Sequence, residues 1–501
     1  MPLVLLVTLL APLAGLVAVL CLPATATRAP RGLAVAAMLV AAVGAATLWW
    51  AFDARSGELQ FVLTLPWLNG VGLDWPLRFG VDGLSLPLLA VSALIGLVAM
   101  LVGGDTRPQP RAFYALLLGL AGAALAAFAS VNLLVFFLFA EMATLPKYLL
   151  ITVWGELPPG DHGRDRDHAA TQQLLYVQAG AMLAMFGVVG IVCLGGYSCD
   201  LVALRDVTFD PVAQRWLFGL LLLGFGVWTT LWPLHAWAPL AYAAAPTPAA
   251  MLFAGVVKNL GAYGIVRAGV LLLPEGLRWW AAPLAVMAAA NILVAGWTAL
   301  RQRDWQLLLG YGSVSHAGYF FLGLASLNYT GLGGAVFFLS AHGLAIAACF
   351  ALVGVVTGAA GRRDLASLGG LARRLPFVGT ALAMAVIAAI GVPGFANFWG
   401  ELLTILGAFR HDTLLSRLAA AAGAWGLVLT ATYLLRALHA TLFGPAKPGD
   451  DHLNDLTTPG QRLPYVLLLA ALLLLGVWPR LALDPIHASL APLLQLLNPP
   501  G

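Results

Sequence analysis

Fourteen stretches of about twenty mostly apolar residues follow one another along the 501-residue chain, and no other feature limits its fold so tightly. They run approximately 3–22, 31–51, 84–102, 113–129, 131–154, 173–194, 216–237, 247–272, 279–300, 305–327, 331–357, 376–409, 417–443 and 462–483. Each is long enough to cross the hydrocarbon core of a bilayer as a helix. Hydrophobic residues make up 61% of the chain and charged ones 10%, which excludes an ordinary soluble domain. The expected fold is all-α: one polytopic transmembrane domain over 1–501 with about 14 membrane helices. The first stretch has no basic start and no convincing cleavage site, so it reads as a retained helix. No soluble insert is long enough to hold a nucleotide or cluster domain. Cys21, Cys193 and Cys349 lie in or beside apolar runs and Cys199 in a loop, with no CxxC pair. No cofactor and no metal are expected.

The distribution of charge gives an orientation. Loops after odd-numbered runs hold fifteen of the cations, among them Arg28, Arg107, Arg164, Arg303, Arg363 and Arg374. The opposite side holds nine, including Arg78, Arg205, Arg267 and Arg410. The positive-inside rule then places both termini outside the cytoplasmic membrane of a prokaryote. A net charge of +4 on a chain this size gives no reason to expect nucleic acid.

One stretch organises the rest: Trp228 to Arg267, WTTLWPLHAWAPLAYAAAPTPAAMLFAGVVKNLGAYGIVR. It reads as a membrane helix broken at Thr229–Pro233, an unwound turn around His235, a reversal at Pro239, Pro246 and Pro248, and a second helix with Lys258 near its middle. Only three lysines occur, Lys147, Lys258 and Lys447, and two of them lie inside apolar runs. A charge at the bilayer centre costs about 2.5–3.5 kcal/mol on insertion scales, which marks it as functional. Lysine, unlike arginine, can load and release a proton when buried. Snorkelling is the alternative, disfavoured for Lys258 by two or more apolar turns on either side and more open for Lys147, near Trp154.

Other polar residues interrupt the apolar runs. Glu141 lies near the centre of the fifth, followed by Pro146 and Lys147; six residues turn about 600°, so the two share no face unless the proline reorganises the helix. His316 sits in the tenth run with Ser313, Ser315 and Tyr311 nearby, and His342 in the eleventh. Histidine titrates near neutral pH, which suits proton passage. The twelfth run, too long for one span, is interrupted at Gly391–Gly394, with Asn397 and then Glu401 beyond the break. Broken helices mark a polar interior. His162 and His168 belong to a mixed-charge loop and are not read as metal ligands. Both breaks fall in the fourth member of a five-helix set, which predicts two inverted repeats, about 113–272 and 279–443, with broken helices 7 and 12.

FGVDGLSLPL, FFLFAEMATLPKYLLITVWG, PLHAWAPLAYAAAPTPAAMLFAGVVKNLGAYGIVR, LLGYGSVSHAGY, AHGLAIAACF and IGVPGFANFWGELL, in this order between about Phe79 and Gly444, resemble the antiporter-like subunits of respiratory complex I. The likeness is greatest to the subunit M (chain 4) branch, with kin in group 4 membrane hydrogenases and multisubunit Na⁺/H⁺ antiporters. The resemblance implies a proton- or Na⁺-translocating subunit with other membrane subunits as partners and the driving redox chemistry supplied by them. It assigns proton transfer to Glu141, Lys258, His316, His342 and Glu401, with His235, Ser315 and Asn397 as supporting polar groups. Two departures stand out. Trp228 occupies the place of the family's helix-seven lysine, and Lys147 stands where the family has an apolar residue, so Lys147 is expected to replace the missing cation. Alternatives are an ion-coupling subunit of a group 4 hydrogenase or of an inorganic-carbon uptake complex, and a spacer that no longer pumps.

Overall fold

The computed structural model describes residues 1–67, 75–104, 108–156, 165–443, 445, 447 and 453–497. Gly70, Gly72, Asp74, Arg107, His162 and Arg164 lie outside these residues. Among those described, 13 helices are long and apolar enough to cross a membrane. The twelfth span is built instead from two helices, Pro376–Ile390 and Ala396–Arg410, joined by an unwound turn. The expected organisation into 14 spans is therefore present.

The spans differ in what surrounds them. Thr247–Val270 and Tyr329–Ala360 are buried along their whole apolar windows, whereas only 33% of the windows of Pro2–Leu20 and Ala29–Ala51 is buried. Tyr329–Ala360 is the central post, packed against Ser85–Val102, Trp305–Ala325, both halves of the twelfth span and Pro459–Val477. Its 32 residues make a helix about 48 Å long, well beyond the roughly 30 Å hydrocarbon core. A helix can be apolar all round only when protein or lipid covers every face. Here protein does, so polar groups on it face other helices.

Two elements add to the helical expectation. The connection at 53–83 contains an antiparallel hairpin, Gln60–Leu65 with Leu77–Val81, paired Leu63 to Phe79 and Leu65 to Leu77. The tail is a helix, Arg480–Leu497, whose Ala482, Leu483, Ile486, Leu490 and Leu493 are buried along one side. It is amphipathic, and it seats beside the hairpin, where Ser489 Oγ accepts the Gly83 amide at 2.9 Å.

The first break is stitched closed by one side chain. Pro211–Trp228 ends at an irregular turn, and the helix Trp237–Ala244 follows before the reversal at Ala245 and Pro246. Pro239 lies inside that short helix rather than in the reversal, a correction to the sequence reading. Proline is tolerated there because the first turn of a helix leaves its N–H groups unpaired in any case. Asn291, on the span Pro274–Arg301, accepts the Trp232 amide at 2.5 Å and donates to the carbonyls of Thr230 at 3.0 Å and Val314 at 2.8 Å. Without such partners, orphaned backbone at membrane depth costs several kcal/mol per group.

A buried ion pair closes one end of the bundle. Arg267, counted from sequence as a loop cation, is only 5% exposed. It grips Asp82 of the GVDG turn with two hydrogen bonds of 2.6 Å, while its Nε donates to the Tyr263 hydroxyl at 2.7 Å. Burial by itself would raise the Asp82 carboxyl, but the charge and hydrogen bonds of Arg267, with the Ser85 amide and Arg205, hold it below the usual carboxylate value. A carboxyl lowered on folding stabilises fully above its unfolded value, about 4, and that stability is lost as pH falls through the folded value. Asp82→Asn should therefore cost about 3–5 kcal/mol, because it leaves the guanidinium buried and unpaired. In thermal melts of the solubilised protein, the wild type should lose stability below about pH 4, and the variant should lack that step.

Candidate functional site

Lys258 begins an α-helical segment directly after a π-helical turn, Phe253–Val257, and a second π-helical turn, Ile265–Val270, follows. Such turns carry an extra residue per hydrogen-bonded ring and recur at functional sites. Lys258 is 3% exposed. It donates to Ser313 Oγ at 2.8 Å and to the Ser313 carbonyl at 3.3 Å. A lysine in this setting is not snorkelling, since its charge points into the bundle.

The path continues from Ser313. Its hydroxyl lies 3.3 Å from His342 Nε2, so the oxygen that accepts from Lys258 can pass its own proton to the imidazole. The His342 and His316 rings lie 4.8 Å apart by centroid. His316 Nε2 in turn stands 3.5 Å from Glu401 Oε1, an ion-pair distance when the imidazole is protonated. A cavity of 10 Å³, counted as space open to the centre of a water molecule, touches both imidazoles and is closed by Gly312, Ile346, Ala389 and Tyr433. That is about one water's worth. Lys258, Ser313, His342, His316 and Glu401 thus form one chain of contacts across four helices.

Backbone contact brings these helices together. A Cβ at Gly255 would meet the Gly343 carbonyl at 2.8 Å, and one at Gly343 would meet the Gly255 carbonyl at 2.5 Å. Asn259 beside Lys258 locks the same crossing by donating to the Leu339 carbonyl at 3.0 Å. Small residues permit this approach in membrane bundles. At the other end Gly391, with φ +81°, has no room for a side chain: its Cβ would sit 1.9 Å from Glu401 Oε2. The carboxyl therefore rests in the break of the twelfth span. Asn397, one turn earlier, is fully buried with neither amide atom hydrogen bonded.

The remaining sequence candidates fall differently. Ser315 does not join the chain of contacts; it donates to the Ile292 carbonyl at 2.8 Å, and Ser313, two residues earlier, takes the bridging place. Two positions on a helix differ by about 200°, so adjacent serines face opposite neighbours. His235 is half-buried in the first break, with Nδ1 unpartnered. Glu141 is half-buried beside exposed Leu138, Met142 and Leu145, its Oε2 unpartnered. The helix is interrupted at Ala143, between Leu133–Met142 and Thr144–Trp154. Lys147 then turns inward: it is 5% exposed, and its ammonium stands 5.8 Å from the centroid of the Trp237 ring. Glu141 and Lys147 are close enough for their charges to interact, yet no direct ion pair joins them among the described residues. Lys147 instead shares a cavity with Lys258 and Trp228.

The model of the NADH:quinone oxidoreductase/Mrp antiporter transmembrane family matches residues 130–427. The chain belongs to that family. It is 34% identical over 440 residues to NAD(P)H-quinone oxidoreductase chain 4 1 of Synechococcus sp. (strain JA-3-3Ab), covering 86% of this chain and 82% of the relative. It is 31% identical over 453 residues to NAD(P)H-quinone oxidoreductase chain 4 2 of Thermosynechococcus vestitus, covering 89% and 83%. Among solved structures, a chain of respiratory complex I from Thermus thermophilus with bound NADH superposes with a TM-score of 0.86 at 29% identity, covering 98% of this chain and 99% of that one. A chain of the Mrp complex from Dietzia sp. DQ12-45-1b shares the fold, with a TM-score of 0.84 at 21% identity and 99% and 98% coverage.

The sequence reading missed Ser313 as a bridge, Asn291 as the suture of the first break, and Asp82 with Arg267 as a buried pair. The signal for the last was present, an aspartate in a glycine turn and an arginine nine residues after a buried lysine, but no local pattern links positions 185 residues apart. Ser313→Ala should lower ion transport by tenfold or more, on the order of 1.4 kcal/mol in the barrier. Ser315→Ala should leave transport unchanged and cost about 1 kcal/mol of stability. Transport assays and thermal melts on the two variants check the contrast.

Proposed function

We propose that this chain carries protons as an antiporter-like subunit of an NADH–quinone oxidoreductase-type membrane complex, with the driving redox chemistry in partner subunits. The observation that supports it most is the unbroken sequence of contacts from Lys258 through Ser313, His342 and His316 to Glu401. Each member can hold or pass a proton, and each is enclosed by protein, where a bare structural role would favour apolar side chains. Glu141 and Lys147 act upstream: a change in their mutual attraction alters the field at Lys258, which then releases its proton toward the histidines. Glu401, seated in the second break, hands the proton on. Na⁺ in place of H⁺ is the alternative ion.

Glu141 supports the presence of partners. It sits on a lateral face among exposed apolar side chains. A carboxyl against lipid at that depth is costly, and an adjoining subunit covering it removes the cost. The comparison structures are chains of multisubunit assemblies.

The spacer reading keeps one observation in its favour: Trp228 stands where the family has a lysine, and its indole N–H is committed to the Val177 carbonyl at 3.0 Å. Against it, Lys147 presents an ammonium to the cavity that Trp228 lines. The repeats 113–272 and 279–443 fit the same scheme, each supplying one broken helix.

Lys258→Met removes the charge and keeps most of the volume. It should abolish proton transport in inverted vesicles while the complex still assembles, and Glu401→Gln should do the same. Near-normal transport by an assembled Lys258→Met complex refutes the relay and favours the spacer. The proposed setting is the cytoplasmic membrane with both termini outside. A cysteine at Gly358, exposed and close to Arg363, should then react with a membrane-impermeant thiol reagent only in inverted vesicles. Labelling in intact cells reverses the orientation.

A further inference from the structure

The contacts from Lys258 to Glu401 leave open how a proton arrives at Lys258. One small cavity lies at that point. It measures 10 Å³ as space open to the centre of a water molecule, and its walls include Lys147, Lys258, Thr144, Trp228, Trp237 and Tyr242. It has room for about one water. A charged lysine is a donor without an acceptor, and an indole donates only. Both indole N–H groups are already used, Trp228 on the Val177 carbonyl at 3.0 Å and Trp237 on the Val227 carbonyl at 3.0 Å. A proton leaving one lysine for the other therefore needs a hydroxyl oxygen or a water between them.

Two hydroxyl side chains line the cavity, those of Thr144 and Tyr242, and the one buried without a partner is that of Tyr242. Its side chain is 1% exposed, and its hydroxyl has no hydrogen-bond partner. A buried, unpaired hydroxyl costs about 1–3 kcal/mol. Packing does not require it, because the ring is already held edge-on by Trp237 at 5.9 Å and Phe350 at 6.4 Å. Phenylalanine would fill the same space without that cost.

We infer that the Tyr242 hydroxyl relays protons from Lys147 to Lys258 across this cavity, a role that rests on the transport reading above. The Lys147 ammonium gives a proton to the tyrosine oxygen, directly or through one water, as the tyrosine O–H proton passes to the neutral amine of Lys258. One N–H bond breaks and one N–H bond forms. The hydroxyl then rotates back, so the tyrosine ends as it began and no redox partner is needed. The step also orders the two cations: in a site this small and dry, two ammonium groups disfavour one another, so Lys258 accepts only when it has emptied toward Ser313.

The test uses inverted vesicles carrying the whole complex, energised with NADH, with proton uptake and the amount of assembled complex both measured. Tyr242→Phe should cut uptake by about 100-fold, the low end of what a positioned proton-transfer group contributes, without changing assembly. Tyr242→His, whose ring both accepts and donates, should restore most of it. Wild-type uptake by assembled Tyr242→Phe, when Lys258→Met prepared separately blocks uptake, overturns the tyrosine role alone. Uptake that survives Lys258→Met, or wild-type vesicles that take up no protons with NADH, overturns the transport reading and this role with it. If Tyr242→Phe does not assemble, Tyr242→Met and Tyr242→His decide: equal uptake by the two overturns the relay, and uptake by the histidine variant only supports it.

Discussion

The hydrogen bond from Lys258 to Ser313 is the interaction on which the rest of the bundle turns. A lysine at membrane depth persists only when protein groups replace its water. Here that replacement is a serine on a neighbouring helix, and several close contacts hold the two together. The π-helical turn before Lys258 sets its direction, the Gly255–Gly343 crossing brings the His342 helix into contact, and Asn259 fastens it. The helix carrying Lys258 is enclosed on all sides, as is the post carrying His342. Protein with few polar groups surrounds a narrow polar line, and such surroundings strengthen each interaction along it.

Much of this was legible in the chain itself. Span number and length follow from apolar runs, and the two breaks follow from Pro and Gly at membrane depth, because lipid leaves the backbone few choices. Lys258, His316, His342 and Glu401 stood out for the same reason: each is an ionisable group where none is cheap. What sequence could not give is which neighbour each one meets. Ser315 and Ser313 are equivalent by composition, and only the helix rotation assigns one to Ile292 and the other to Lys258. Asn291 sits in an apolar helix with no local hint that it satisfies backbone 61 residues away. The hairpin at 60–81 was obscured because half of its residues alternate weakly and it is too short to dominate its connection. Arg267 was assigned to water by its position near a helix end, and only its partner, far away in sequence, explains its burial.

Lys147 and Trp228 make a related point about substitution in membrane proteins. The resemblance puts a cation on the seventh span where this chain has Trp228, and Lys147 comes from the fifth span, just past the interruption at Ala143. Its side chain lines the same cavity as Trp228. A charge in a low-dielectric interior acts through distance and surroundings rather than through the helix that bears it.

Gly391 and Glu401 carry a separate consequence. The carboxyl occupies the volume that a methyl at position 391 would need, so it is also a spacer that keeps two half-helices at a fixed offset. Shortening the acid to aspartate would change shape as well as reach, and alanine would open a void where the two half-helices meet. The carboxamide of glutamine is nearly isosteric with the carboxyl. Of these replacements, only glutamine separates the electrostatic part of Glu401 from its part as a wedge.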